Sequence, residues 1–156
     1  MAIDRLRPDA RNPRHHPDRQ IKQIARSIEA FGFNVPVWAD QRDNVLAGHG
    51  RIVAARSMGL QEVPVIRLEH LTAEQARAFS VADNRLSETS SWDDQLLGEV
   101  LRDLAEVDLD FDIEATGFTM AEIGLRIEGL SDSAPDHPDP ADCADRPRSA
   151  VRQPPW

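Results

Sequence analysis

Apolar positions along this chain come in short, alternating or helically spaced groups separated by clear punctuation. Ile3-Asp4-Arg5-Leu6 alternates as a short strand does and runs into Pro8, where a strand would stop. Asn12-Pro13 marks a turn, and Pro17-Asp18 then opens a helix whose Ile21, Ile24, Ala25 and Ile28 share one face, with Gly32 as its stop. Val35-Pro36-Val37-Trp38 predicts an edge strand, because Pro36 lacks a ladder donor. A turn at Gln41-Arg42-Asp43-Asn44 leads to a strand at Val45-Leu46-Ala47. After Gly48-His49-Gly50, the stretch from Arg51 to Met58 has a helical pattern and is closed by Gly59. Val63 to Leu68 is β-branched and predicts a further strand, and Thr72 with Gln75 forms a capping box for a helix reaching about Leu86.

The remainder changes character. Trp92, Leu96, Leu97, Val100, Leu101 and Leu104 keep helical spacing, and Thr119 caps a short helix to about Ile127. From Ser131 onward Pro, Asp, Ser and Arg replace large apolar residues, which predicts a disordered tail. The organisation expected is therefore a small α/β (α+β) domain over 1–88, an acidic helical extension over 89–130, and the tail over 131–156. Trp38 and Trp92 fall on apolar faces and are expected in the core.

Charge sharpens this division. The net charge of −9 is unevenly spread: residues 1–70 hold 11 Lys+Arg against 8 Asp+Glu, while 71–156 hold 7 against 19. Only the first half offers an anion a favourable field, and bulk charge argues against tight, nonspecific DNA binding. No apolar run is long enough to cross a bilayer and no signal-peptide pattern opens the chain. The lone Cys143 can form neither an internal disulfide nor a zinc cluster. Together these features predict a cytoplasmic location.

The chemistry-bearing signals lie at three places. A strand, then Gly48-His49-Gly50, then Arg51 in the first turn of a helix is an anion-binding arrangement. Glycines allow close backbone approach, a helix start offers unpaired N–H groups, and Arg51 supplies a forked donor for phosphate. Its alternative is a tight turn with a surface arginine. Asn12-Pro13-Arg14-His15-His16 presents cations from a fixed turn, against the alternative of a solvated loop. Ala82-Asp83-Asn84-Arg85 ends the capped helix: Asp83 could hold Mg²⁺ and Asn84 or Arg85 could touch a ligand, or the segment could simply cap the helix.

In order and spacing these segments resemble the ParB/sulfiredoxin superfamily from about Ile3 to Arg85. The resemblance rests on Asn12-Pro13-Arg14, Ser27 to Gly32, Val35-Pro36-Val37, Val45 to Arg51, Gly59-Leu60, Val63-Pro64-Val65 and Ala82 to Arg85. With Leu86, a Trp-Asp helix and Gly117-Phe118, the chain looks closest to ParB-like domains that precede DNA methyltransferases. The resemblance implies a nucleoside triphosphate, CTP or ATP, held by Gly48, His49, Gly50 and Arg51, with further contacts from Asn12, Arg14, Asn84 and Arg85. Mg²⁺ on Asp83, and acid–base roles for Asp83 and His49, are the implied catalytic assignments if phosphate is hydrolysed or transferred. A bound phosphate would raise the His49 pKa.

Three differences shape the expectation. Gly48 stands where sulfiredoxins have their nucleophilic Cys, so sulfinic-acid reduction is not expected. His49 and Gly50 replace the Glu and Arg that partitioning proteins carry in this loop, and any turnover should be slow. Residues 86–130 look too few and too acidic for the DNA-reading helix-turn-helix that follows this domain in partitioning proteins. Three functions stay open: a nucleotide-binding module in DNA modification or partitioning with a DNA methyltransferase partner and weak or indirect DNA contact, a phosphoryl-transfer enzyme (nuclease, NTPase or kinase), and an interaction module in which residues 92–128 dock a partner.

Overall fold

A computed structural model describes residues 1–10 and 12–130, so the predicted tail lies outside the described residues. The elements are α1 (Asp18–Phe31), β1 (Val37–Ala39), β2 (Val45–Ala47), α2 (His49–Ser57), β3 (Val65–Arg67), α3 (Ala73–Glu88), α4 (Asp94–Glu106) and α5 (Met120–Gly129), with 3-10 turns at Ile3–Arg5 and Ile113–Thr116. The expected mixed α/β architecture, a short sheet flanked by helices, is what the chain forms.

The three-stranded sheet has the order β2-β1-β3. β1 and β2 form an antiparallel hairpin with Trp38 opposite Ala47, and β1 runs parallel to β3 with Val37 opposite Val65. The edge expected at Val35–Trp38 is therefore the centre of the sheet. Pro36 is tolerated because pairing begins one residue later, where Val37 N–H donates to the Pro64 carbonyl at 2.9 Å. Ile3–Arg5 is a 3-10 turn rather than a strand, bracketed by single bridges from Ala2 to Glu62 and from Arg7 to Asn44. Its alternation still served burial, since Ile3 and Leu6 are both in the core.

That core gathers Ile3, Leu6, Val37, Ala39, Val45, Ile52, Ala55 and Val63 between the sheet and α2. Small side chains decide the layering: Ala54 and Ala55 are fully buried, which lets α2 lie close to its neighbours. α3 starts at the predicted capping box, with Thr72 and Gln75 each bonding the other's backbone, and it crosses β2 with Phe79 edge-on to Trp38.

The acidic extension is an α4–α5 hairpin rather than loose helices. Gly98 makes the crossing possible, because a Cβ there would stand 2.9 Å from the Arg126 carbonyl oxygen. The hairpin is attached to α1 by Gln23 donating to the Gly117 carbonyl at 2.6 Å, by an Arg26–Glu114 ion pair, and by Phe31 against Phe111. Trp92 departs from expectation: it is 66% exposed, resting edge-on against Phe118 at the start of α4 instead of entering a core.

Candidate functional site

The strand-to-helix turn after β2 is built around Gly48. Its φ of 96° and ψ of 21° belong to the left-handed region, and α2 begins at the next residue, two positions earlier than the sequence pattern places it. His49 and Gly50 are thus the first helical residues rather than loop. No side chain caps this helix start, which leaves first-turn N–H groups for another acceptor.

Arg51 folds back beneath the turn. Its Nη2 donates to the Pro36 carbonyl at 3.1 Å, while its buried Nε has no hydrogen-bond partner. Burial lowers the guanidinium pKa, and the charge of Asp83 on α3 works in the opposite sense. This is the electrostatic link between α2 and the Asp83 segment. A half-buried cation with one buried, unmet donor is an anion-seeking group.

His49 Nε2 lies 3.4 Å from the Asp9 backbone N–H and accepts from it, which places the ring proton on Nδ1. Burial pushes its pKa down from the ordinary value, nearby His16 adds to that, and Asp9 opposes it. In the free protein burial therefore favours the neutral form of His49, before any phosphate acts on it. Gly50 is covered by α1: a Cβ there would meet His16 Nδ1 and Ile24 Cδ1, each at 3.1 Å. His16 is oriented in turn by Gln20, Nδ1 to Oε1 at 3.0 Å.

The other two predicted segments meet one another. Asn12 Oδ1 accepts from the Arg14 N–H at 3.2 Å and fixes the turn. Arg14 then reaches α3, donating to the Asn84 carbonyl at 3.3 Å and to Glu88 at 2.6 Å. A cleft of about 470 Å³ opens there, lined by Arg14, His15, Gln20, Asn84, Arg85 and Glu88 among others. Asn84 is not a helix cap, since α3 continues to Glu88, and its side chain donates to its own helix at the Ser80 carbonyl. Gly48 to Arg51 do not line this cleft; the bridge between the two halves runs through Gln20 and His16 to Gly50.

Asp83 has no cluster of ligands around it: among the described residues no group of three or more His, Cys, Asp or Glu could hold a metal. One carboxylate is nonetheless what Mg²⁺ commonly takes from protein when phosphates and waters fill its remaining positions. Sequence reasoning had His16 among the cations of its turn but missed the Pro36 carbonyl, the Asp9 N–H and Glu88. Only Glu88 left a trace, standing three residues after Arg85 on one helix face.

Among the described residues no helix is long and apolar enough to cross a membrane. The family model described as the ParB N-terminal domain matches residues 1–85, and that of the ParB-methyltransferase HTH domain matches 95–154. The second match corrects the expectation that no helix-turn-helix follows. Acidity misled there: residues 95–154 hold 14 Asp+Glu against 5 Lys+Arg, yet helix packing depends on apolar spacing and not on surface charge.

The ParB-like nuclease domain-containing protein YnaK of Escherichia coli is 42% identical over 73 residues, 47% of this chain and 84% of that protein. A probable chromosome-partitioning protein ParB of Coxiella burnetii is 33% identical over 54% of this chain, which spans only 30% of that protein. The fold is shared with C-terminally truncated ParB from Caulobacter crescentus complexed with CTP-gamma-S. There the TM-score is 0.68 at 19% identity, covering 86% of this chain and 78% of the other.

Proposed function

This chain belongs to the ParB N-terminal domain family, and we propose that it is a nucleotide-binding module, taking CTP or ATP, that serves DNA modification or partitioning. The observation that carries the reading is Arg51: a half-buried guanidinium whose buried Nε has no partner, under a left-handed glycine and beside an uncapped helix start. Phosphate oxygens supply the acceptors that this arrangement lacks. Arg14 and Arg85, in the cleft at the end of α3, would take the far phosphates, with Asn12 holding the Arg14 turn and Asn84 presenting its carbonyl to Arg14. The Caulobacter crescentus relative in its complex with CTP-gamma-S makes CTP the first nucleotide to test.

Mg²⁺, if used, would rest on Asp83 together with phosphate oxygens and water. Neutral His49 has the protonation state of a base, although a bound triphosphate would raise its pKa. DNA contact and a methyltransferase partner are assigned to the region of the helix-turn-helix match. Its acidic balance favours weak binding of duplex DNA, with a protein partner supplying affinity. A second reading, a pure interaction module, draws on Leu96 and Val100, exposed on α4, and on Trp92, exposed just before that helix.

The deciding experiment is calorimetric titration of the chain and of Arg51→Ala with CTP, ATP, GTP and UTP, with and without Mg²⁺. The expected result is binding that weakens at least about tenfold in the variant, the lower end of a lost charge-assisted bond. Equal affinity with unchanged melting would transfer the assignment to the interaction module.

A further inference from the structure

We infer that Glu88 is the internal competitor of the ligand's phosphates, and so a determinant of the site's affinity for polyanions. The inference rests on the reading of Arg14 and Arg85 as phosphate contacts. Glu88 Oε1 accepts from Arg14 Nη1 at 2.6 Å, and its Oε2 accepts from Arg85 Nη1 at 3.3 Å. One carboxylate thus bridges the two cations of the cleft and also forms part of its lining.

A carboxylate resembles a pair of phosphate oxygens in charge, planarity of approach and use of guanidinium donors. Whatever anion enters must therefore take those donors from Glu88. The exchange is feasible because the Glu88 side chain is 49% exposed and can rotate into water, which rehydrates it. Arg14 is better held: its side chain is 29% exposed, and its bond to the Asn84 carbonyl keeps it at the cleft after Glu88 leaves.

The exchange selects by charge. A ligand carrying a single negative charge gains little over the carboxylate that it replaces, whereas a triphosphate brings several charges to the same two donors. A neutral ligand cannot displace Glu88 at all. The cleft is accordingly biased toward polyanions by a residue that need not contact the bound ligand.

The test uses the full chain, with inorganic triphosphate and CTP as probes, in calorimetric titrations at low and high salt. Glu88→Gln keeps the size of the side chain and removes its charge. It should bind inorganic triphosphate about three- to fivefold more tightly than wild type at low salt, as expected for a partly exposed ion pair. The gain should shrink at high salt and disappear in an Arg14→Ala background, where the competed cation is gone; a merely structural Glu88 would give neither dependence. Unchanged or weaker binding by Glu88→Gln at low salt overturns the inference, as does a gain that survives Arg14→Ala. If Glu88→Gln gains for inorganic triphosphate while no nucleotide binds, the competition stands and the nucleotide reading fails. If CTP binds wild type and Glu88→Gln equally, the nucleotide reading stands and the competition fails.

Discussion

Replacing Gly48 by alanine tests the turn and the site with a single methyl group. At φ 96° an L-residue is strained, which costs about 1–2 kcal/mol. The added Cβ would also lie 2.9 Å from Arg51 Nη2, 3.2 Å from Nε and 3.3 Å from Cζ. Those atoms belong to the far end of a flexible side chain, so the clash is relieved by rotating the guanidinium away. That rotation breaks the bond to the Pro36 carbonyl, worth roughly 1 kcal/mol or somewhat more for a charged donor. The two costs sum to about 2–3 kcal/mol, which lowers the melting temperature of a domain this size by roughly 10 °C. Because Arg51 is displaced, CTP affinity should fall as well, even at temperatures where Gly48→Ala is fully folded. Differential scanning calorimetry and titration with CTP give the two readouts. Gly50→Ala is the control: its backbone is helical, and up to about 1 kcal/mol of helix propensity offsets the 3.1 Å contacts with His16 and Ile24. Gly48→Ala that melts within about 2 °C of wild type and binds CTP equally would refute this account of the turn.

Other expectations follow from the same geometry. His49, depressed chiefly by burial, should titrate below about 6.5 by NMR in the free protein. The folded state then binds fewer protons than the unfolded, so stability is complete above that pH and declines as pH falls toward the folded-state value. Added triphosphate should move the His49 midpoint upward, and a midpoint at or above 6.5 without ligand would contradict the burial argument. Asp43 sits at φ 63° and accepts from Arg67 at 2.7 and 3.2 Å and from Arg5 at 3.2 Å, Arg67 being the main cause of its lowered pKa. Its contribution is present above the unfolded carboxyl pKa and lost as pH falls through the folded one. In thermal melts Asp43→Ala should be less stable than Asp43→Gly, since only alanine keeps the left-handed strain after both lose the ion pairs; the reverse order would refute it. Asp83→Ala should abolish any Mg²⁺-dependent phosphate release from CTP or ATP while nucleotide binding survives. Rapid release that ignores the substitution would remove Asp83 from the metal role.

The elements with strong local rules were legible before any coordinates. The Thr72–Gln75 capping box, the stop at Gly32 and the Thr119 start of α5 depend on neighbours within four residues, and each formed where its residues stand. The turn at Gly48 was legible for a similar reason, because a strand, a left-handed glycine and a helix start follow one another along the chain. Long-range pairing decided the rest. Val37–Ala39 became the central strand because β3 returned parallel to it, an outcome that Pro36 alone could not signal. Trp92 was left outside because Leu101 and Ile123 fill the α4–α5 interior, and helical spacing does not say which apolar face meets a partner. Arg51 turned beneath Gly48 to the Pro36 carbonyl, and Glu88 closed on Arg14 across 74 positions of chain. Such contacts form only when separate elements pack at a fixed distance, so the sequence names the charged groups while the tertiary structure chooses their partners.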